Sequence, residues 1–510
     1  ACMTILSFRD LVLRAPDGRE LLSGASDSLP PGLTALVGAN GVGKSTLLRV
    51  LAGRLEAAGG RVEGHGRLRL VAPQSPRTAL AEALLELPQR LHGAEGVVRR
   101  DVASLLPPGL DPQTASPGET ARAWLACLAA GDADAWLLDE PSAHLDADGR
   151  AWLHAWLARC PVPVLFASHD RELLRIASQT WELAGGRLRP WSGGFDEFAT
   201  QSGSERERAG DAVRRARREQ AELAREAQRA RERADRRGAR GRAEVRKGSQ
   251  GRMLQGFLRG RAEQGKGAGE RAAAARLASA SERLASARSA LVDPPVFRLD
   301  APGLRIGAGQ RLLQADGLGL RVGERWLLRD ASFVFNGPRR LALRGPNGCG
   351  KSLLLAVLAG FRQPWQGKVT HGSSPVVLVG QYGAPAGPGE RALDVFVRHQ
   401  PMPEAEARER LAWFLFRGVQ VLQPACSLSS GERMRLGLAC QLGGPRQPGL
   451  LMLDEPDNHL DLASLRAVEH ALSQFRGGLL VASHDPSFLQ AAGIDDQLHC
   501  DWMLAPARGA

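Results

Sequence analysis

Long apolar runs are missing from this 510-residue chain. No uninterrupted apolar stretch approaches the ~18 residues that a membrane span needs. The N-terminus lacks the basic flank and apolar segment of a secretion signal, and Met3 is the expected start. Seven cysteines (Cys2, Cys127, Cys160, Cys349, Cys426, Cys440 and Cys500) are scattered, odd in number and without a CxxC pair. That pattern argues against a disulfide scaffold or a cysteine zinc site and fits reduced thiols. Lysine is scarce, with only five against 62 arginines. These absences lead us to expect a cytoplasmic protein of roughly two to four domains.

Charge is unevenly placed. Between Gln201 and Ala290 there are 24 Arg and Lys against 12 Asp and Glu, whereas the 43 basic and 43 acidic residues elsewhere cancel. The net charge of +12 therefore belongs to a middle segment of about ninety residues. Such an asymmetry points to a polyanion bound by one part of the chain; the plainer reading is a solvated helix face. From Gly203 to about Arg237 there is no proline, and Ala, Arg, Glu and Gln dominate. Val213, Ala216, Leu223, Ala227, Ala230 and Ala234 form a heptad seam interrupted by Gln220. A second seam runs through Leu277, Leu284 and Leu291, with Ala273, Ala280 and Ala287 between them. The spacing predicts an antiparallel helical hairpin with a loop or broken helix at its tip, Gly238 to Gly269.

The flanking regions repeat each other. GANGVGKS at Gly38–Ser45 returns as GPNGCGKS at Gly345–Ser352, and Gln74, Ser116, Asp139-Glu140 and His169 return as Gln381, Ser429, Asp454-Glu455 and His484, offset by 307 to 315 residues. Short apolar runs end at these polar residues, as in a largely parallel sheet with ligands at its strand ends. The expected organisation is 1–200, a basic linker 201–292, and 293–510.

GxxxxGKS between a strand and a helix cradles phosphate, because its glycines let successive N–H groups and a helix N-terminus face the anion. Gly38, Asn40, Gly41, Gly43, Lys44, Ser45 and Thr46 are the candidate ATP contacts of the first loop. Gly345, Asn347, Gly348, Gly350, Lys351 and Ser352 are those of the second. Lys44 and Lys351 are two of the five lysines in an arginine-rich chain, which suits a site needing a compact point charge. The Ser45 and Ser352 hydroxyls with the Asp139 and Asp454 carboxylates are candidate Mg²⁺ ligands. Glu140 and Glu455 are placed to polarise the attacking water, and His169 and His484 to meet the terminal phosphate.

These residues resemble the ATP-binding cassette (ABC) superfamily. ASPGE at Ala115–Glu119 and LSSGE at Leu428–Glu432 look like its signature motif, and Gln74 and Gln381 like its glutamine loops, which bring further Mg²⁺ ligands. EPSAHLD (Glu140–Asp146) and EPDNHLD (Glu455–Asp461) look like the stretch from catalytic glutamate to D-loop. The resemblance implies an α/β fold with two P-loop ATPase domains packed head to tail in a monomer, so that Ser429 and Gly431 complete the first site and Ser116 and Gly118 the second. SHDREL (Ser168–Leu173), GGFDEF (Gly193–Phe198) and the basic linker resemble the ABC-F class, which implies an ATPase acting on the ribosome and touching rRNA and tRNA through the linker. A DNA-binding ATPase and a fused ATPase subunit of a transporter are the alternatives. Pro117 departs from the signature by removing an N–H, and Leu353 stands where Thr is usual. No well-placed aromatic precedes the first glycine loop to stack on adenine, whereas Trp326 precedes the second and serves either there or in the core. With 42 residues between Gln74 and Ser116, no large inserted arm is expected.

Overall fold

In the computed structural model, residues 5–72, 77–92, 96–106, 109–245, 272–287, 306–380, 383, 385–444, 447–458, 460–494 and 496–500 are described. The chain forms two compact units, one of Ala1–Asp196 with Pro295–Ala510, the other of Glu197–Pro294.

The larger unit contains twice a three-stranded sheet and a larger, mostly parallel sheet, the latter with six strands in the first copy and, among the described residues, five in the second. In the first copy a three-stranded antiparallel sheet orders Glu20–Ser28, Leu6–Arg14 and Gly59–Gly64. Beside it a six-stranded sheet runs Leu68–Val71, Ala135–Asp139, Val164–Ala167, Leu33–Val37, Gln179–Ala184 and Arg187–Ser192, antiparallel only at its last pair. The second copy repeats this as Arg325–Asn336, Arg311–Val322 and Gln366–His371, and as Val376–Val379, Leu450–Asp454, Gly478–Ala482, Arg340–Arg344 and Asp496–His499. The central strands are apolar on both faces. Val164–Ala167, Leu450–Asp454 and Gly478–Ala482 are buried throughout, as parallel strands covered on both sides must be. This strand order fixes the chemistry. The strand ending at Asp139 lies beside the one leading to His169, and that one lies beside the strand entering the glycine loop. All three therefore deliver their carboxyl ends to one edge.

Both glycine loops need their glycines. Gly43 has φ 112° and a Cβ there would stand 3.1 Å from Leu21; Gly350 has φ 97° and its Cβ would stand 2.8 Å from Leu327. The helices Lys44–Leu51 and Lys351–Leu358 follow at once.

The smaller unit contains the helix Phe195–Val245, which enters it from the larger one, and a second helix over 272–287. Ala280 and Leu284 of the second seam are buried, and Gln220 donates from Nε2 to Ser281 Oγ at 3.0 Å. The polar interruption of the first seam is thus satisfied across the hairpin, and Glu219 with Arg283 at 3.0 Å adds an exposed ion pair. One boundary differs from expectation. The first helix does not stop near Arg237 but continues through Gly238 to Val245. A single glycine costs about 1 kcal/mol in a helix, and the Arg, Ala and Glu around it are good helix formers. Leu291 and the rest of the expected tip, 246–269, lie outside the described residues.

Candidate active site

Each glycine loop closes around its own lysine. Lys44 Nζ donates to the carbonyls of Gly38 and Ala39 at 2.7 and 3.2 Å; Lys351 Nζ donates to those of Gly345 and Pro346 at 2.8 and 3.2 Å. His169 Nε2 stands 3.2 Å from Lys44 Nζ and 3.1 Å from Asn40 Oδ1, and His484 Nε2 stands 3.0 Å from Lys351 Nζ. Burial, aided by the Lys351 and Arg150 cations, lowers His484 to about 3. Its imidazole is therefore neutral, with Nε2 free to accept from the lysine. Burial also lowers the Lys44 ammonium from its ordinary value, while Glu140, Asp461 and Asp139 oppose that shift.

The carboxylates follow the same plan. Ser45 Oγ donates to Asp139 Oδ1 at 3.0 Å, and Ser352 bonds Asp454. Burial raises both aspartates, and Asp454 Oδ1 is buried without a partner. Hard oxygen donors gathered beside a phosphate loop, one of them orphaned, fit Mg²⁺. Glu140 and Glu455 sit at φ 50° and 48°, a region that non-glycine residues seldom occupy. Bonds from their N–H groups to Ala167 O (2.8 Å) and Ala482 O (2.9 Å) hold them there. Burial pushes Glu140 up to about 8 and also raises Glu455.

The signature segments explain themselves locally. Ser116 caps the helix Pro117–Ala129, accepting from Glu119 N at 3.3 Å while Glu119 Oε2 accepts from Ser116 N at 2.8 Å. Ser429 and Glu432 repeat this reciprocal cap on Ser430–Leu442. Pro117 occupies the first helical turn, where its fixed φ suits the helix and its missing N–H breaks no internal bond.

The two cassettes meet head to tail. A cavity of about 410 Å³ is lined by Lys44, Ser45, Thr46, Asp139, Glu140 and His169 of the first cassette and by Ser429, Asp457 and Asn458 of the second. On the other side, a Cβ at Gly118 would stand 2.4 Å from Asn347 Nδ2, so the first signature abuts the second glycine loop. Asn347 Nδ2 donates to His144 O at 2.7 Å, and Asn40 N donates to Asp461 Oδ2 at 3.1 Å. Arg171 and Glu469 form a largely buried ion pair across the interface at 2.9 Å. Gln74 and Gln381 lie outside the described residues.

Several of these contacts were not foreseen. Asp146 and Asp461 are N-caps of the helices Ala147–Arg159 and Leu462–Gln474, a role that an Asp before a helical pattern signals. Each also bonds the opposing glycine loop. Asn458 Nδ2 donates to Glu455 Oε2 at 2.6 Å, whereas the repeat places Ala143 at the equivalent position. Arg150 bonds Asp170 Oδ2 at 3.1 Å, and its cation opposes the rise of Glu455 and of the half-buried Asp457, whose desolvation pushes it up to about 7. The cavity at the first site is also lined by Ala15, Pro16 and Arg19, none of them aromatic. The Trp326 ring of the second cassette is already faced by Arg321 and Arg329 at 5.9 and 4.9 Å.

The profile of the family described as ABC transporter matches residues 24–143 and again 328–458. The ATP-binding protein Uup of Caulobacter vibrioides is 32% identical over 507 residues, covering 95% of this chain and 75% of Uup. The chain belongs to the ABC-F class of ATP-binding cassette proteins. This ABC-F chain is also 30% identical over 535 residues to the energy-dependent translational throttle protein EttA of Escherichia coli K12, covering 93% of this chain and 88% of EttA. Among solved structures it resembles an RNase-L inhibitor (TM-score 0.57, 17% identity, 96% of this chain and 87% of that one). It also resembles the archaeal ribosome recycling factor aABCE1 in complex with ribosomal stalk protein aP1 (TM-score 0.56, 18% identity, 96% and 87%). These last two likenesses establish the tandem-cassette fold. As an ABC-F protein the chain binds and hydrolyses ATP. Among the described residues no helix is long and apolar enough to cross a membrane.

Proposed function

We propose that this ABC-F ATPase is a cytoplasmic translation or ribosome-protection factor, a monomer whose cassettes, 1–200 and 293–510, close on ATP and present the linker 201–292 to rRNA and tRNA. The observation that carries this reading is the location of charge. All of the net +12 falls between Gln201 and Ala290, while the cassettes are neutral. Arginine suits RNA because its planar fork pairs with phosphate and stacks on bases. The names of the EttA relatives, energy-dependent translational throttle proteins, support the same partner.

In the proposed cycle, the N–H groups of Gly41–Ser45 and Gly348–Ser352 and the two lysines hold the outer phosphates. The capped helix N-terminus behind Ser429 and Gly431 closes on the first nucleotide, and that behind Ser116 and Gly118 on the second. Glu140 and Glu455 take a proton from the attacking water, and His169 and His484 bind the leaving phosphate. Mg²⁺, when bound, neutralises charge on the outer phosphates; Ser45, Asp139 and Gln74, and Ser352, Asp454 and Gln381, would hold it. Loss of the terminal phosphate removes the bridge between the cassettes and reopens them.

The test is co-sedimentation of the Glu140→Gln/Glu455→Gln protein with ribosomes and, in parallel, with plasmid DNA, with and without ATP. ATP-dependent pelleting with ribosomes is expected, with log K against log [salt] sloping at roughly −6 if about eight phosphates are met. A protein that stays free of ribosomes under ATP, or pellets with DNA instead, would overturn the proposal.

A further inference from the structure

The second cassette carries a surface that its twin lacks. Phe361 and Trp365 are 71% and 65% exposed, only four residues apart on the loop that follows the helix Lys351–Leu358. Trp365 N donates to Gly319 O at 2.9 Å, which seats the loop against the hairpin of Arg311–Val322 and Arg325–Asn336. The Arg321 guanidinium there lies 5.2 Å from the Trp365 ring and 5.9 Å from the Trp326 ring, and Arg329 lies 4.9 Å from Trp326. Arg325 and Arg362 are solvent-facing neighbours in the chain.

The internal repeat shows that the fold does not require this cluster. Leu21 packs against Gly43 as Leu327 packs against Gly350, and Gly60 approaches its neighbouring strand's backbone as Gly367 does. Counting from these anchors and from the strand register, the first cassette has Arg14, Glu20, Arg54 and Ala58 where the second has Arg321, Trp326, Phe361 and Trp365, so the arginine on the first strand is common to both and the aromatics are not. The same sheet and loop therefore form with no aromatic at all. Isolated exposed apolar side chains need no explanation. Exposed aromatics beside stacked guanidinium groups, in one copy of a duplicated scaffold, do.

We propose that this face binds unpaired RNA, with bases stacking on Trp365 and Phe361 and the flanking phosphates meeting the arginines. Planar rings accept any base face, and arginine supplies both stacking and phosphate pairing. Arg321 is ion-paired with Glu324, but the exposed Arg325, Arg329 and Arg362 leave basic charge around the rings, which favours a polyanion over an apolar protein partner. The proposal shares with the preceding section the premise that the partner is RNA, but it uses a different part of the chain.

The experiment compares the full-length protein with its Phe361→Ala/Trp365→Ala variant. Binding of a short fluorescein-labelled polyuridylate strand, and of an RNA duplex of the same length, is followed by anisotropy across a salt series. Alanine already stands at the Trp365 position in the first cassette, so melting temperature and ATP turnover should be unchanged. Single-strand affinity should fall at least about tenfold while duplex affinity and the salt slope stay the same. Unchanged single-strand affinity, or equal loss for strand and duplex, would overturn the proposal. So would loss of ATP affinity, which would make the face part of the nucleotide site. Loss of self-association in sedimentation with RNA binding intact would make it a contact between copies and would also overturn it. Ribosome co-sedimentation of the unsubstituted protein is read separately. Its absence would count against the linker reading while single-strand binding could still hold.

Discussion

The two nucleotide sites share their glycines, lysines, Asp-Glu pairs and histidines, yet the residues around these differ. Glu455 is held by Asn458 at 2.6 Å, whereas Glu140 has Ala143 at the equivalent position and stands 3.4 Å from His169. Asp457 occupies the place of Ser142, and Arg150 that of Leu465. The Arg171–Glu469 pair crosses the interface where the repeat would set Pro486 and His154. A duplicated scaffold thus keeps the residues we assign to phosphate binding and varies those around the proposed base and those that join the halves. We expect the second site to be the better organised for hydrolysis.

The largest effect should come from removing what the sites share. Glu140→Gln with Glu455→Gln should cost ~10²–10⁴-fold in steady-state phosphate release; a loss below about tenfold would remove both carboxylates from the role of base. Next comes the residue that separates the sites. In a Glu140→Gln background, Asn458→Ala should slow single-turnover hydrolysis roughly tenfold, the worth of one hydrogen bond to a charged group. Ala143→Asn in a Glu455→Gln background should quicken it. If neither changes the rate, Asn458 is a packing residue only.

The half-buried Asp457 sharpens the comparison through pH. Its carboxyl faces Arg150, Asp485 and Ser483 and titrates at about 7 in the folded chain, well above an ordinary aspartate. The folded state therefore keeps a proton that the unfolded chain has released, and this group's contribution to stability falls as pH rises from about 4 to 7. Asp457→Ser, the first cassette's residue, should raise the unfolding free energy more at pH 8 than at pH 4, by an amount on the order of 1–3 kcal/mol, read as a larger rise in melting temperature at pH 8. An equal shift at both pH values would contradict the burial argument. The smallest effect is expected at Pro117. Pro117→Gly restores one N–H at the second site and should tighten ATP there roughly twofold, measured by titration calorimetry. No tightening would mean that this N–H does not reach the phosphates.

What was legible in the sequence was local. GxxxxGKS specifies its own backbone, and Ser-x-x-Glu in both signatures is a reciprocal helix cap whose partners are three residues apart. The hairpin seams were readable because heptad spacing is a short-range signal, and Gln220 found Ser281 as a polar seam residue must. The first helix outran its expected end because one glycine is a weak stop among strong helix formers. The interface contacts were hidden for a different reason. Arg171 and Glu469, or Asn40 and Asp461, are some 300 to 420 residues apart, and nothing within a short window announces them. Ala143 against Asn458 was visible as a difference, but its meaning required seeing which atom Asn458 touches.

The inequality of the sites is tested most directly by rapid-quench, single-turnover hydrolysis in the two single-glutamate variants. The account predicts that the second site, isolated by Glu140→Gln, cleaves ATP about tenfold faster than the first, isolated by Glu455→Gln. Equal rates, or a faster first site, would contradict it.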